Sequence, residues 1–348
     1  MSAERRAIVW LAPGHLPLVR DAARAAELTI VAVGTPERGQ AGRLATELAS
    51  GSSTPEPRDD LRATLASSDA DLAWIAAPGA FGTGGSDDAA AILAAHGRGM
   101  RIAAFEPIPA SASDLAPGAW TDGTPCAMNI PRVIPGWPAA LPPPETIAAL
   151  GAVRALALEW WGGPGDGSLT ARVYGAMEAV RRIIGEPESV DAACVGPDHG
   201  RGVHALPGET LRDLHGDMTA NLRFSDGRAA TIAVSDRAGR WERSLALLGP
   251  GGRVRVHDDA FEWIGPDGAT LDESATRTRR KKAGDDAPRP SPAAAAVAAA
   301  LTAVLTPRSD EPPTDTISIL AMCHAALLSC RTGQPESPAT IRRIAGAD

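Results

Sequence analysis

Lysine is almost missing from this 348-residue chain: Lys281 and Lys282 are the only two, and they are adjacent. Arginine carries the rest of the positive charge, so no mechanism that needs a buried lysine outside that pair is open to the protein. Aromatic residues are also scarce, with four Phe and one Tyr, while alanine fills many apolar positions. The expected core is therefore aliphatic and close-packed. The four cysteines, Cys126, Cys194, Cys323 and Cys330, form no C-x-x-C pair. Cys323 and Cys330 fall on one expected helix, which holds their Cα atoms about 10 Å apart, too far for a disulfide. A reducing compartment is expected. Long apolar runs are missing too. The run after Arg6 ends at Pro13 and Gly14, and the alanine-rich run 293–305 is too short to span a bilayer. A soluble, cytoplasmic protein is expected, with no membrane partner.

Charge excludes a further class. The formal net charge is −8, whereas phosphate backbones are bound by clustered Lys and Arg. The one dense basic run, 277–282, is followed by Asp285, Asp286 and Pro-rich sequence, and reads as a solvated loop. No nucleic-acid partner is expected. Hydrophobic residues at 44% and charged residues at 22% are the balance of a globular protein. The length suits two domains.

The first 110 residues alternate in a β-α rhythm. Apolar runs at 7–11, 28–33, 72–76 and 101–105 read as strands, and 16–26, 38–49, 59–66 and 87–96 as helices. Two of the runs end at Pro-Gly. This rhythm predicts βαβ units and a parallel sheet. Residues 106–145 are rich in Pro and Gly and read as a linker or irregular excursion. A strand at 153–161, a helix at 169–184 and a strand at 189–195 follow. Strand segments 218–224 and 228–234 flank Ser225-Asp226-Gly227, a strong hairpin signal. Segments 244–248, 253–257 and 261–264 continue the pattern, predicting an open antiparallel sheet with one covered face. Helices near 292–305 and 314–331 close the chain, and 277–292 and 306–313 read as loops.

Six segments, in order, resemble the Gfo/Idh/MocA oxidoreductase family. DLAWIAAPG (71–79) is similar to its fourth strand and A-T-P loop, and GRGMRIAAFEPIPAS (97–111) to its E-K-P segment. RRIIGEPESVDA (181–192) resembles its helix end with L-G-E-P. MTANLRFSDGRAATIAVS (218–235), WERSLALLGPGGRVRV (241–256) and ALLSCRTGQP (326–335) resemble its central hairpin, its strand pair and its terminal helix. The resemblance covers nearly the whole chain. It implies an α/β protein with an N-terminal Rossmann-type parallel-sheet domain, residues 1–125, and a C-terminal α+β domain with an open antiparallel sheet, residues 126–348. It also implies an NAD or NADP cofactor, a sugar-like ligand, and a homo-oligomer or paralogous subunit joined through the C-terminal sheet.

The departures from the family pattern concern its chemistry. Where the family has G-x-G-x-x-G after the first strand, this chain has Leu11-Ala12-Pro13-Gly14-His15. Glycines let backbone approach a pyrophosphate at a helix N-terminus, and Pro13 has no N–H to offer; Gly14 and His15 keep theirs. At the end of the second strand an acid would meet the ribose, and here Gly34-Thr35 stands. Arg38 could meet a 2′-phosphate or simply be solvated. Pro78 lies in the loop that resembles A-T-P, and Glu106 in the segment that resembles E-K-P. By the resemblance, then, the cofactor positions are Pro13, Gly14, His15, Thr35, Arg38, Pro78 and Glu106. The family's catalytic lysine position is Pro107, and its Asp and His positions on the long helix are Ala171 and Gly175. Their lost proton-transfer role is worth about 10²–10⁴-fold.

Two residues could supply other acid–base chemistry. Glu106 ends a parallel strand, where ligands bind in such sheets, although it could equally cap a neighbouring element. Tyr174 flanks the lost positions, although a Tyr on an apolar helix is more often core. Arg172 beside it could clamp a carboxylate. His199, His204 and His215, with Asp198, Asp213 and Asp217, match no metal-ligand spacing and read as a loop, so no metal is expected. Trp160-Trp161 reads as a sugar-stacking surface or an interface cluster.

Two functional readings follow. One is a protein of this family without standard dehydrogenase catalysis, serving as a ligand-binding or partner subunit. The other is an atypical NAD(P)-dependent oxidoreductase acting on a sugar, inositol or related polyol.

Overall fold

A computed structural model describes residues 4–50, 53–77, 85–108, 110, 132–136, 144–196, 210–212, 214–258, 260–275, 289–306 and 314–346. Cys126, Pro78, Lys281, Lys282 and the 125/126 domain boundary lie outside them.

The first sheet is built as the β-α rhythm predicts. Its elements are β1 (Arg5–Leu11), α1 (Leu16–Ala25), β2 (Leu28–Gly34), α2 (Ala41–Leu48), β3 (Glu56–Arg58), α3 (Leu61–Ser67), β4 (Leu72–Ala76), α4 (Gly85–Gly97), β5 (Arg101–Ala104) and β6 (Arg132–Val133). The six strands are all parallel, in the order β3-β2-β1-β4-β5-β6. This is the doubly wound order, with crossover helices on both faces. All five residues of β4 are buried, as a strand covered on both sides must be. β3 and β6 were not foreseen. Each is two or three residues long and lies at a sheet edge, too short to show a period. β6 and the next helix, α5 (Pro144–Leu150), also correct the reading of 106–145 as wholly irregular.

The second sheet follows α5. It uses β7 (Ala155–Trp161), then after α6 (Leu169–Ile183) the strands β8 (Ser189–Val195), β9 (Asp217–Arg223), β10 (Ala229–Ser235), β11 (Glu242–Gly249), β12 (Gly252–His257), β13 (Ala260–Ile264) and β14 (Thr270–Ala275). Their order is β14-β13-β12-β11-β7-β10-β9-β8. The expected hairpin is β9–β10, with Arg223 opposite Ala229. The sheet is mixed rather than purely antiparallel, because β7 and β10 pair in parallel at its centre. The cause is connectivity: β7 leaves the sheet through α6, so no hairpin joins it to either neighbour. β9 alternates exposed and buried along all seven residues, with Met218, Ala220 and Leu222 inward. The helices α7 (Pro292–Leu305), α8 (Thr316–Thr332) and α9 (Pro338–Ala345) end the chain.

Polar side chains fix the helix starts. Asp60 caps α3 through the N–H groups of Arg62 and Ala63, and Asp315 caps α8 through Ser318. Ser168 caps α6 by accepting from Ala171 N–H at 3.0 Å, and donates its hydroxyl to Phe105 O at 2.6 Å. One hydroxyl thus ties the start of α6 to the end of β5. α8 packs on β8 and α6, covering one face of the second sheet, while α7 returns to pack on α1 and β5. The last helices therefore hold the two sheets together. Among the described residues, no helix is long and apolar enough to cross a membrane.

α8 also buries a histidine. Burial lowers the His324 imidazole to about 4, against the opposing pull of a hydrogen bond with the Ala110 backbone. Its Nε2 has no hydrogen-bond partner among the described residues. The folded state thus holds His324 neutral, while the unfolded chain protonates it near the ordinary value of about 6.5. Its contribution to stability is complete above that value and is lost as pH falls toward 4. Buried His15 and half-buried His96, both lowered chiefly by burial, act in the same direction. Denaturant titrations are expected to show stability dropping between about pH 6.5 and 4. His324→Leu should remove a share on the order of 3 kcal/mol of that slope.

Candidate functional site

The turn after β1 determines what the first sheet can bind. It tightens into a 3₁₀ turn over Pro13–His15 and runs straight into α1. Its donors are largely committed. Ala12 N–H points to Ala76 O at 3.5 Å, and His15 N–H donates to Ala12 O at 2.9 Å. Leu16 N–H donates to Pro13 O, and Pro13 and Pro17 have none to give. From Ala12 to Pro17, only Gly14 N–H lacks an acceptor among the described residues. A dinucleotide pyrophosphate needs several converging N–H groups at such a helix start. One does not make that cradle, so the residues present do not fit the group.

His15 does not replace the missing donors. Its ring is buried, with Nδ1 3.2 Å from Ala76 O and the Pro164 backbone as a second partner. It meets Phe105 edge-on at 5.3 Å. Burial lowers its basicity, which favours the neutral ring.

The ribose end is closed by a side chain. Trp10 pairs with Gly34 across β1 and β2. A Cβ on Gly34 would overlap the Trp10 indole and lie 2.8 Å from Arg58 O. An acid at this position therefore has no room, which explains why glycine stands there. Thr35 is buried and its hydroxyl accepts from Glu37 N–H. Arg38 is exposed, in the turn before α2 rather than on the helix start.

Glu106 follows β5 and is buried, next to buried Pro107. On α6, Ala171 and Gly175, to which the resemblance assigns the acid and histidine positions, are buried. Tyr174 is also buried. Burial, reinforced by Glu178, raises its phenol far above the ordinary value, against a hydrogen bond with Thr316. Its surroundings are those of a core residue.

Arg172 is the unexpected centre of this region. It is 1% exposed, and it clamps no carboxylate directly. Its Nη1 donates to Ser235 O at 2.8 Å, and its Nη2 to Asp166 O at 3.2 Å and Gly163 O at 3.5 Å. Burial lowers it to about 10, with Asp236 and Asp166 opposing, so it stays charged. A Cβ on Gly162 would overlap the guanidinium, which is why the loop passing it is glycine-rich. That loop, 162–167, is closed by Gly163 N–H on Asp166 Oδ2 at 2.8 Å. It reaches the β1 turn at two points. A Cβ on Gly165 would lie 3.7 Å from Gly14 O, and the Pro164 backbone meets His15.

The tryptophan pair divides between faces. Trp160 is fully buried, edge-on to Trp241 at 5.6 Å, with Arg243 stacked over it at 5.0 Å. Arg243 and the Trp241 indole N–H both bond Asp258. Trp160 thus belongs to the covered core, which corrects its reading as a stacking surface. Trp161, next on the strand, is half-buried on the other face.

Of the residues weighed for a metal, Asp198, His199, His204 and Asp213 lie outside the described residues. His215 bonds Asp236, with Nδ1 2.8 Å from Oδ2. Among the described residues no cluster of three or more His, Cys, Asp or Glu could hold a metal. Asp236 was not singled out from the sequence. Its one signal there is a charged residue directly after the apolar run of β10.

No protein-family model matches the chain, and no curated protein matches it in sequence. Solved structures do. A levoglucosan dehydrogenase in complex with NADH and levoglucosan is 13% identical, over 96% of this chain and 99% of that one, with a TM-score of 0.64. The myo-inositol 2-dehydrogenase of Lactobacillus plantarum is 13% identical over 96% and 99%, at 0.62. The myo-inositol dehydrogenase of Corynebacterium glutamicum is 17% identical over 96% and 98%, at 0.60. Nearly the full length is shared, and the chain therefore has the overall fold of these solved dehydrogenase structures, a parallel six-stranded sheet followed by a mixed eight-stranded one.

Proposed function

We propose that this chain keeps the scaffold of NAD(P)-dependent sugar and polyol dehydrogenases without their standard turnover, and serves as a cytoplasmic ligand-binding or partner subunit. The observation that carries this reading is the β1–α1 turn, whose N–H groups, Gly14's apart, are spent on neighbouring carbonyls or replaced by Pro13 and Pro17. Pro107, Ala171 and Gly175 support it, since none can move a proton. The resemblance adds a homo-oligomer or a pairing with a paralogue through the second sheet. The protein is expected to leave purification without a bound nicotinamide. It should reduce neither NAD nor NADP with myo-inositol or levoglucosan present, as followed by nicotinamide absorbance. Steady NADH or NADPH production would sink the reading.

One observation favours a second reading, an atypical NAD(P)-dependent oxidoreductase acting on a sugar, inositol or related polyol. His215 bonded to buried Asp236 is an imidazole–carboxylate pair, the arrangement that orients a general base. In that case NAD(P) turnover should be present and should vanish in His215→Asn.

A further inference from the structure

The face of the second sheet turned away from α6 and α8 is open along its five central strands, β9, β10, β7, β11 and β12. Its middle is made of small residues. Ala157, Ala229 and Thr231 are exposed there, with Ala155, Ala233 and Ala246 half-buried beside them. Such a surface is flat, and two of them can approach to the usual sheet spacing of about 10 Å.

The charges on this face are segregated by strand end. Arg223, Ala229, Ala155, Leu248 and Arg253 form one cross-strand row, and Arg255 stands two residues further along β12. Glu159, Asp217 and Glu242 lie toward the other end, where β7 finishes and β9 and β11 begin. All six charged residues are exposed, and none forms an ion pair among the described residues. They have little chance to pair within one chain. Arg223 and Asp217, for example, stand at the two ends of β9, about 20 Å apart.

A second copy supplies the complement. Two such faces can meet about a twofold axis that runs along the strands or across them. An axis along the strands sets each end against its own kind. An axis across them reverses the strand direction. Arg223 then meets Asp217 of the second copy, Arg253 comes toward Glu242, and Arg255 toward Glu159. Asp191 and Glu262, on the strands flanking the central five, face Ala193 and Ala260 across that axis, so no like charges are opposed. Every contact is made twice in such an isologous pair. Eight strands of about seven residues make a face of roughly 900 Å², against about 800 Å² per partner in a stable interface.

The geometry points to a second copy of this chain as the occupant of the open face, packed about a twofold axis across the strands, with the arginine end of each sheet on the carboxylate end of the other. This rests on the preceding section in taking the second sheet as the pairing face. The partner is a like chain rather than a paralogue because the face is its own complement.

Sedimentation equilibrium of the full chain tests the pairing. The wild type is expected to be a dimer. Asp217→Arg and Arg223→Asp each bring like charges together at both ends of the contact, and each should weaken the dimer about tenfold or more. The exchange variant carrying both changes should return to the wild-type affinity, because the two ends then trade signs. That recovery separates loss of contact from loss of fold. A monomeric wild type would overturn the proposal. So would single variants that dimerise as well as the wild type, which an axis along the strands requires, an exchange variant that stays weak, or a stoichiometric second kind of chain on the face. NAD or NADP turnover by an intact dimer would sink the preceding reading alone, and a monomer without turnover would sink this one alone.

Discussion

Arg172→Ala is expected to lower stability by about 3–5 kcal/mol, among the largest losses any single substitution causes. The side chain is 1% exposed and spans three backbone carbonyls, from Ser235, Asp166 and Gly163. Its removal takes this donor from Ser235 O and Asp166 O, at about 1–3 kcal/mol for each one left unsatisfied, while Gly163 O keeps the Asp166 N–H. It also leaves a cavity beside Trp241, whose ring lies 5.8 Å from the guanidinium. Arg172→Lys should recover only part of the loss, because one ammonium cannot reach three carbonyls in a plane. Guanidinium unfolding should show a lower midpoint with an unchanged slope. A loss below about 1 kcal/mol, the worth of one ordinary hydrogen bond, would show that the three carbonyl bonds do not organise the 162–167 loop.

Gly34→Asp should be nearly as damaging, although it puts an acid where the resemblance would place one. The new Cβ would overlap the Trp10 indole, and Arg58 O stands 2.8 Å away. Trp10 is buried in the core between β1 and the helices on that face, so it has no room to swing aside. A loss of about 3 kcal/mol or more is expected, as for overpacking that forces backbone to move. No ribose site should appear. Trp10→Ala is itself costly, by about 3–5 kcal/mol. Because both changes act on one volume, the double variant should lose clearly less than the sum of the two singles. Strict additivity would mean that the indole does not fill the acid's place.

The two cases differ in how far the sequence could reveal them. The β-α rhythm and the β9–β10 hairpin were legible because apolar period and turn chemistry are local. β3, β6 and β14 were not: β3 is Glu-Pro-Arg, β6 is two residues, and β14 is an exposed polar edge. The weakness of the β1 turn was also legible, because a missing N–H is a property of proline itself. The filling of the ribose end by Trp10 was not, since Gly34 reads as an ordinary strand end. The arginine clamp and the His215–Asp236 pair were hidden for another reason. They join α6, the loop after β7, the end of β10 and the segment before β9, which only the fold brings together. Trp160, left open between a stacking surface and an interface cluster, illustrates the reverse case. An exposed stacking surface and a buried aromatic cluster look alike in sequence, and the strand's register decides between them.

The loss of the pyrophosphate cradle is tested most directly by calorimetric titration of the purified protein with NAD and with NADP. No heat of specific binding in the micromolar range is expected from either. A saturable micromolar isotherm for one of them would contradict the account, because it would require more phosphate-binding donors than the single Gly14 N–H that the turn from Ala12 to Pro17 leaves uncommitted.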